Sequence, residues 1–414
     1  MTTSNRKIVY VVLDGISGRP VRELDGLTPL QGSDTPNLNY ITKNGSSGIM
    51  DPISPGIRPG SDTAHLSLLG YSSKSIYSGR GPFEAAGAGI DIKEGDIAFR
   101  CNYATISEGI IKNRRAGRIK NTRELYKSIK EEIREIEDVK IIFKDSTAHR
   151  AALVLRGPQI SDKVSDSDPK TVNKSPKEVK PLSSGRKEKK TARILNKFID
   201  KTSTLLDNHH LNIKRLQDGK LPANIILIRG GGKVSNIKSF YDKYGIKGGI
   251  VSGTGIIRGM GRALDMDVIE AKGLTGGLDS NLIKKVDKAV EALKYNDFLL
   301  IHIKGADVAG HDGEYKQKIK FIEEKIDPAV GKLLELINKN ETILAVTADH
   351  STPVSVMDHS ADPVPVVISG NGVRIDDNDK FDEYLHNGAI CRIKGTDLIN
   401  ICLDIANLSE KFGV

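Results

Sequence analysis

A mainly parallel α/β sheet flanked by helices, interrupted by a smaller inserted α+β domain, is the fold class the sequence predicts. Three observations carry that reading. The runs Ile8-Val9-Tyr10-Val11-Val12-Leu13, Phe298-Leu299-Leu300-Ile301-His302-Ile303 and Thr342-Ile343-Leu344-Ala345-Val346-Thr347 are short, apolar and β-branched, as strands buried on both faces are. Each run delivers polar residues to its end: Asp14-Gly15 after the first, Asp307 and His311 after the second, Asp349-His350 after the third. Between the first run and the other two the texture changes, from about residue 91 to residue 220. In open α/β sheets ligands bind at the carboxyl ends of strands, where the chain turns and leaves a crevice. Three strands delivering carboxylates and imidazoles toward one rim point to a metal site.

The 414 residues suffice for two domains and a sizeable core. No apolar run approaches the roughly 20 residues of a membrane span, so no membrane partner is expected. The first apolar run stops at Asp14 after about six residues, too short for a signal peptide, and the cytoplasm is the expected location. Cys101, Cys391 and Cys402 have no paired or metal-like spacing, in keeping with a reducing compartment. Cys391 and Cys402 stand among apolar residues and are expected in the core. The formal charge of +9 suits either an anionic metabolite or a solvated surface. Much of the basic excess lies in residues 163–190, which hold no aromatic residues for base stacking and no nucleic-acid motif. No nucleic-acid partner is expected.

Along the chain, Thr35-Pro36 reads as a helix start, a capping residue before proline at the first helical position. Pro55-Gly56-Ile57-Arg58-Pro59-Gly60 forbids regular structure, and Ser61-Asp62-Thr63-Ala64-His65 then opens a helix. There Ser61 either caps the helix or offers a hydroxyl to a phosphoryl group, since free N–H groups and the helix dipole favour an anion. In the insert, strands are expected over 97–103, 140–143 and 151–155, and helices over 122–136 and 188–207. Residues 161–190, rich in Ser, Asp, Lys and Pro, read as a long mobile loop. The α/β rhythm resumes at strand 223–229, followed by strand 249–251 and a helix over 256–264. The expected division is a core of residues 1–90 with 221–414 and an insert of 91–220.

The chemistry follows from the strand ends. Asp307-x3-His311 puts two ligands one helical turn apart. Asp349-His350 pairs a hard oxygen with an imidazole, and His359 precedes the strand entry at Pro363-Val364-Pro365. With Asp14 and Ser61 these make enough oxygen and nitrogen ligands for two divalent ions.

Taken together, Asp14-Gly15, Gly60-Ser61-Asp62-Thr63-Ala64-His65, Asp307-Val308-Ala309-Gly310-His311-Asp312-Gly313, Thr347-Ala348-Asp349-His350 and His359-Ser360-Ala361-Asp362-Pro363 resemble the alkaline phosphatase superfamily. Within it they are similar to the cofactor-independent phosphoglycerate mutases of the shorter, archaeal type. The bacterial form has Asn-Ser-Glu where this chain has Gly60-Ser61-Asp62. The resemblance implies that Asp307, His311 and His359 hold one ion, and that Asp14, Ser61, Asp349 and His350 hold the other. It implies Ser61 as nucleophile; mixed oxygen and nitrogen sites of this kind accept Mn, Zn, Co or Mg. Phosphoglycerate is then the substrate, moved between its 3- and 2-phospho forms with no 2,3-bisphosphoglycerate required. On this reading the insert is a lid that holds glycerate and excludes water, with hinges near residues 91 and 221.

Such a substrate needs cations beyond the metals, and the planar fork of arginine suits both its carboxylate and its phosphate. The candidates are Arg115, Arg118, His149 and Arg150, with Arg100, in the insert, and Arg258 and Arg262 in the core; Asp166 or Asp168 could carry a proton. A metal-dependent phosphohydrolase, or a phosphopentomutase with Thr63 as nucleophile, would use the same core. An oligomer is compatible with all three readings.

Overall fold

The computed structural model describes residues 6–411 and residue 413. The chain divides into two compact units, Met1–Ile76 with Lys238–Val414, and Tyr77–Ile237. Strands β1 (Lys7–Leu13) and β2 (Gly45–Asp51) lie in the first unit. The second unit holds β3 (Ile97–Ser107), β4 (Ile110–Asn113), β5 (Glu135–Ile136), β6 (Val139–Asp145), β7 (Arg150–Arg156) and β8 (Ile225–Lys233). The chain then completes the first unit with β9 (Gly248–Val251), β10 (Asp267–Ile269), β11 (Phe298–Ile303), β12 (Thr342–Thr347), β13 (Val364–Ser369) and β14 (Cys391–Lys394).

The first unit's sheet has the order β10-β9-β11-β1-β12-β13-β2-β14. β1 lies between β11 and β12, parallel to both, with Leu13 level with Ile303 and Val12 level with Thr347. The three strands expected to carry ligands are therefore immediate neighbours, and their carboxyl ends share one edge. Their side chains are buried throughout except at Lys7, which is why their sequences are continuously apolar instead of alternating. β13 runs antiparallel to β12, with Val366 opposite Thr347. Its start therefore lies at the same edge, and the segment that enters it carries His359.

In the second unit every pairing is antiparallel, in the order β4-β3-β7-β6-β5 with β8 also paired to β3. Helix Arg186–Asp207 buries Ile194, Leu195 and Phe198 in its core, where the Phe198 ring lies 5.7 Å from that of Phe143. Among the described residues, no helix is long and apolar enough to cross a membrane.

Five expectations need correction. The second unit is wider than residues 91–220, because both flanks pack into it. Helix Gly81–Gly87 puts Ala85 in a cluster with Ala98, Ala152 and Val154. Gly81 permits that contact, since a Cβ there would lie 1.9 Å from the Ala98 carbonyl oxygen. Strand 223–229, read as resuming the first sheet, is β8 and pairs with β3. An apolar strand pattern does not say which sheet it joins. Residues 161–190 are not a free loop: Val164 bridges Pro181, Ser167 exchanges backbone hydrogen bonds with Ile228 and Lys177, and Val179 and Asp168 are buried. Cys391 is exposed at the edge strand, although Cys402 is in the core. The helix expected over 122–136 stops at Glu132, and its last residues form β5.

Candidate active site

The turn after β1 places Asp14 at the sheet edge, fully buried. Gly15 follows at φ +68°, and a Cβ there would lie 2.6 Å from Thr352 Oγ1 and 2.7 Å from the Asp307 Cα. Only glycine allows the three ligand-bearing loops to approach so closely. Helix Gly305–His311, directly after β11, carries both Asp307 and His311. The expected one-turn spacing brings His311 Nε2 to 3.3 Å from Asp307 Oδ1, and His359 Nε2 lies 3.5 Å from the same oxygen. His311 Nδ1 meets the Met357 carbonyl at 2.9 Å and His359 Nδ1 the Pro59 carbonyl at 2.9 Å, so each ring is oriented from behind.

The second group lies beside the first. His350 Nε2 is 3.2 Å from Asp349 Oδ2, 3.4 Å from Asp14 Oδ1 and 3.1 Å from Ser61 Oγ. Its ring stacks on His359 with centroids 3.5 Å apart, joining the two groups. Within each of the sets Asp307, His311, His359 and Asp14, Asp349, His350, one ligand atom per residue falls within 4.8 Å of the others. Ser61 is the first residue of helix Ser61–Leu68, and Gly60 is the cap. The two openings for Ser61 are thereby separated: its hydroxyl faces His350 and does not close the helix. Thr63 has no such freedom, because its hydroxyl bonds both the N–H and the carbonyl of Gly60.

Several residues with a place here were not singled out from the sequence. Lys304 Nζ lies 3.0 Å from Asp14 Oδ2 and 2.6 Å from Asp307 Oδ2. His302 Nε2 meets Asp14 Oδ2 at 2.9 Å while its Nδ1 meets Ser252 Oγ at 3.0 Å. His65 Nδ1 bonds the Ser61 carbonyl at 2.7 Å. Thr352 touches Asp307 and His350. For Lys304, His302 and Thr352 the proximity to strand ends was the available signal, and for His65 its place one turn after Ser61, but a lysine or histidine there reads no differently from a solvated or core one.

The charge state shows what the site is suited to hold. Burial would raise the Asp14 carboxyl, but Lys304 and His302 hold it low; burial and the neighbouring Asp14 push Asp349 well up. Burial pushes His350 down to about 3, leaving a neutral ring. Both oxygens of Asp349 and Oδ1 of Asp14 are buried without a hydrogen-bond donor. Buried carboxylate oxygens are costly when left bare, and a lone pair on His350 converges with them. The donor set, hard oxygens with imidazole nitrogens, suits a divalent cation.

The anion-binding candidates divide. In the second unit burial, together with the charges of Arg150, Arg115, Arg100 and Arg229, holds His149 down at about 4. Glu84 lies 2.9 Å from Arg80 and 3.5 Å from Arg100. Asp168 is held by Arg114 through two bonds, of 2.9 and 2.6 Å, which occupies the carboxylate proposed as a proton carrier. Asp166 accepts from the Gly230 N–H. The described cluster thus includes Arg80, Arg114 and Arg229, absent from the sequence reading. Arg118 instead lines a groove with Lys120, Arg215 and Leu221. In the first unit Arg258 and Arg262 both pair with Glu270, at 2.9 and 2.7 Å.

An α/β sheet whose strand ends gather three aspartates, three histidines and a helix-borne serine defines a candidate phosphoryl-transfer centre. A family model described as 2,3-bisphosphoglycerate-independent phosphoglycerate mutase matches residues 42–212. Over 98% of its length the chain is 49% identical to the whole of 2,3-bisphosphoglycerate-independent phosphoglycerate mutase 1 from Methanothermobacter thermautotrophicus. It resembles the solved structure of a Pyrococcus horikoshii protein at 37% identity and a TM-score of 0.85, covering 99% of each chain. It also resembles that of cofactor-independent phosphoglycerate mutase from Thermoplasma acidophilum at 37% identity and a TM-score of 0.71, covering 97% of this chain and all of that one. The chain belongs to the 2,3-bisphosphoglycerate-independent phosphoglycerate mutase family.

Proposed function

We propose that the protein is an isomerase that interconverts 3-phosphoglycerate and 2-phosphoglycerate, a step of glycolysis and gluconeogenesis, in the cytoplasm. The observation that carries this reading is the Ser61 hydroxyl at the first turn of its helix, 3.1 Å from His350 Nε2 and beside bare carboxylate oxygens. Ser61 Oγ attacks the phosphorus, the ester bond to the C3 oxygen of glycerate breaks, and the serine proton passes to that oxygen. The C2 oxygen of the same glycerate then attacks the phosphoserine, gives up its proton, and Ser61 is regenerated. The phosphoryl group stays on the protein between the steps, so no bisphosphoglycerate is needed.

Asp307, His311 and His359 would hold one divalent ion, and Asp14, Ser61, Asp349 and His350 the other. Mn, Zn, Co or Mg suits such a set; when bound, the pair supplies Lewis acidity toward the serine hydroxyl and the phosphoryl oxygens. Lys304 adds a positive charge next to Asp14 and Asp307. The arginine cluster of the second unit, with neutral His149, has the charge and the planar forks to take the carboxylate and phosphate groups of such a substrate. The test is incubation of the metal-loaded protein with 3-phosphoglycerate. Formation of 2-phosphoglycerate is expected; free phosphate with no 2-phosphoglycerate would assign a phosphohydrolase instead.

A further inference from the structure

Thr352 stands two residues beyond His350, fully buried, and touches a residue of each candidate ligand group. Its hydroxyl donates to Asp307 Oδ1 at 2.8 Å and lies 3.1 Å from His350 Nδ1. A hydroxyl has one proton to give. With that proton on Asp307, the oxygen can only accept from His350, which fixes the Nδ1–H form of the ring. The Nε2 lone pair is then left pointing at Asp14, Asp349 and Ser61.

The Thr352 backbone is itself clamped. Its N–H donates to the Ser17 carbonyl at 3.1 Å, and Lys318 Nζ donates to the carbonyls of both Thr352 and Ser17, at 3.0 Å each. Lys318 comes from helix Tyr315–Phe321 and is fully buried. Glu383, near this ammonium, accepts from the Gly18 N–H at 2.9 Å and from Thr28 Oγ1 at 2.8 Å. One buried ammonium thus ties the loop after β1 to the loop after β12, and one hydroxyl ties the latter to the helix after β11.

We infer that Thr352, braced by Lys318, is a positioning residue that sets the His350 tautomer and the spacing between the two ligand groups. The inference rests on the two-ion reading above. A side chain behind one ligand affects one ion; Thr352 touches a ligand of each set, so its loss should weaken both. Outer partners of metal ligands are commonly worth roughly 10–100-fold in affinity.

The experiment is calorimetric titration of the metal-stripped full chain with Mn2+ alone, on wild type, Thr352→Val and Thr352→Ser, with circular dichroism to confirm folding. Two bound ions are expected in wild type, both weakened about 10–100-fold by Thr352→Val, and both restored by Thr352→Ser. Lys318→Met should follow the valine variant in direction, with Lys318→Arg recovering part of the loss. If the valine side chain prevents folding, Thr352→Ala, which only removes atoms, answers the same question. A folded Thr352→Val or Thr352→Ala chain that binds two Mn2+ with wild-type affinity would overturn the inference alone. A wild-type chain that takes up no Mn2+ would overturn the two-ion reading with it.

Discussion

The strand-end centre of the first unit and the arginine cluster of the second are built on opposite charge imbalances. In the first, Asp14, Asp307 and Asp349 lie around Lys304, and burial pushes His350 down to about 3, leaving it neutral. In the second, Arg80, Arg100, Arg114, Arg150 and Arg229 surround Glu84 and Asp168, with Arg115 near His149 and Arg150. Each arrangement is costly by itself, because buried like charges repel and desolvation is not recovered. Under the proposed function the two imbalances complement the ions involved: divalent cations at the strand ends, an anionic substrate at the arginines. The supports differ too. The anionic centre stands on the ends of adjacent parallel strands, whose register fixes its ligands. The cationic cluster is drawn from antiparallel strands, a turn and a short helix, and is held in place by its own two carboxylates.

The largest expected effect separates chemistry from binding. Ser61→Ala should remove isomerisation by more than about a thousand-fold and any phosphatase side activity with it. Wild-type protein quenched in acid with labelled substrate should carry phosphate on the peptide containing Ser61. Label on a peptide lacking Ser61 would move the nucleophile elsewhere and break the assignment of the first region.

Next comes the cation demand itself. Chelation should abolish activity and added divalent metal should restore it, whereas His311→Ala or Asp349→Ala, each removing one ligand, should resist rescue at ordinary metal concentrations. Either variant at full activity after chelation would show that the anionic cluster is structural.

The arginine cluster predicts a smaller and different loss. Arg150→Ala or Arg100→Ala should raise the ratio of free phosphate to 2-phosphoglycerate, because glycerate escapes before recapture. A lost charge-assisted contact is worth about 1.5–3 kcal/mol, roughly ten- to a hundred-fold in retention. Arg118→Ala, in its separate groove, should change that ratio less; an equal change from both would undo the distinction drawn between them.

The smallest effect concerns stability. Burial would raise the Glu84 carboxyl, but Arg100, Arg80 and Arg150 outweigh it and lower its pKa in the folded chain. Its contribution is therefore present above the unfolded value of about 4.3 and is lost as pH falls through the lower folded value. Glu84→Gln should flatten the acid limb of the unfolding free energy by about 1 kcal/mol, read by denaturant melts from pH 6 to about 3. An unchanged acid limb would mean that the arginines do not depend on Glu84.

The sequence by itself determined which residues gather at the first unit's strand ends. Parallel strands buried on both faces must be continuously apolar, so an Asp or His at the end of such a run stands out against it. Asp14, Asp307, His311, Asp349, His350 and His359 were all legible on that ground, and the glycine and proline residues before Ser61 announced its helix. The second unit was only partly legible: Arg115, Arg150 and His149 were found, Arg80, Arg114 and Arg229 were not. An arginine has the same appearance in sequence whether it is solvated or gathered with others, and antiparallel pairing brings together residues far apart in the chain. The same limit hid the sheet that β8 joins and the packing that holds residues 161–190. Tertiary structure alone decided that β11, β1 and β12 are neighbours, that β13 runs backward so as to bring His359 to their edge, and that Thr352 and Lys318 lie behind the ligands. These are matters of strand order and direction, which hydrogen bonds between distant segments settle and local pattern does not encode.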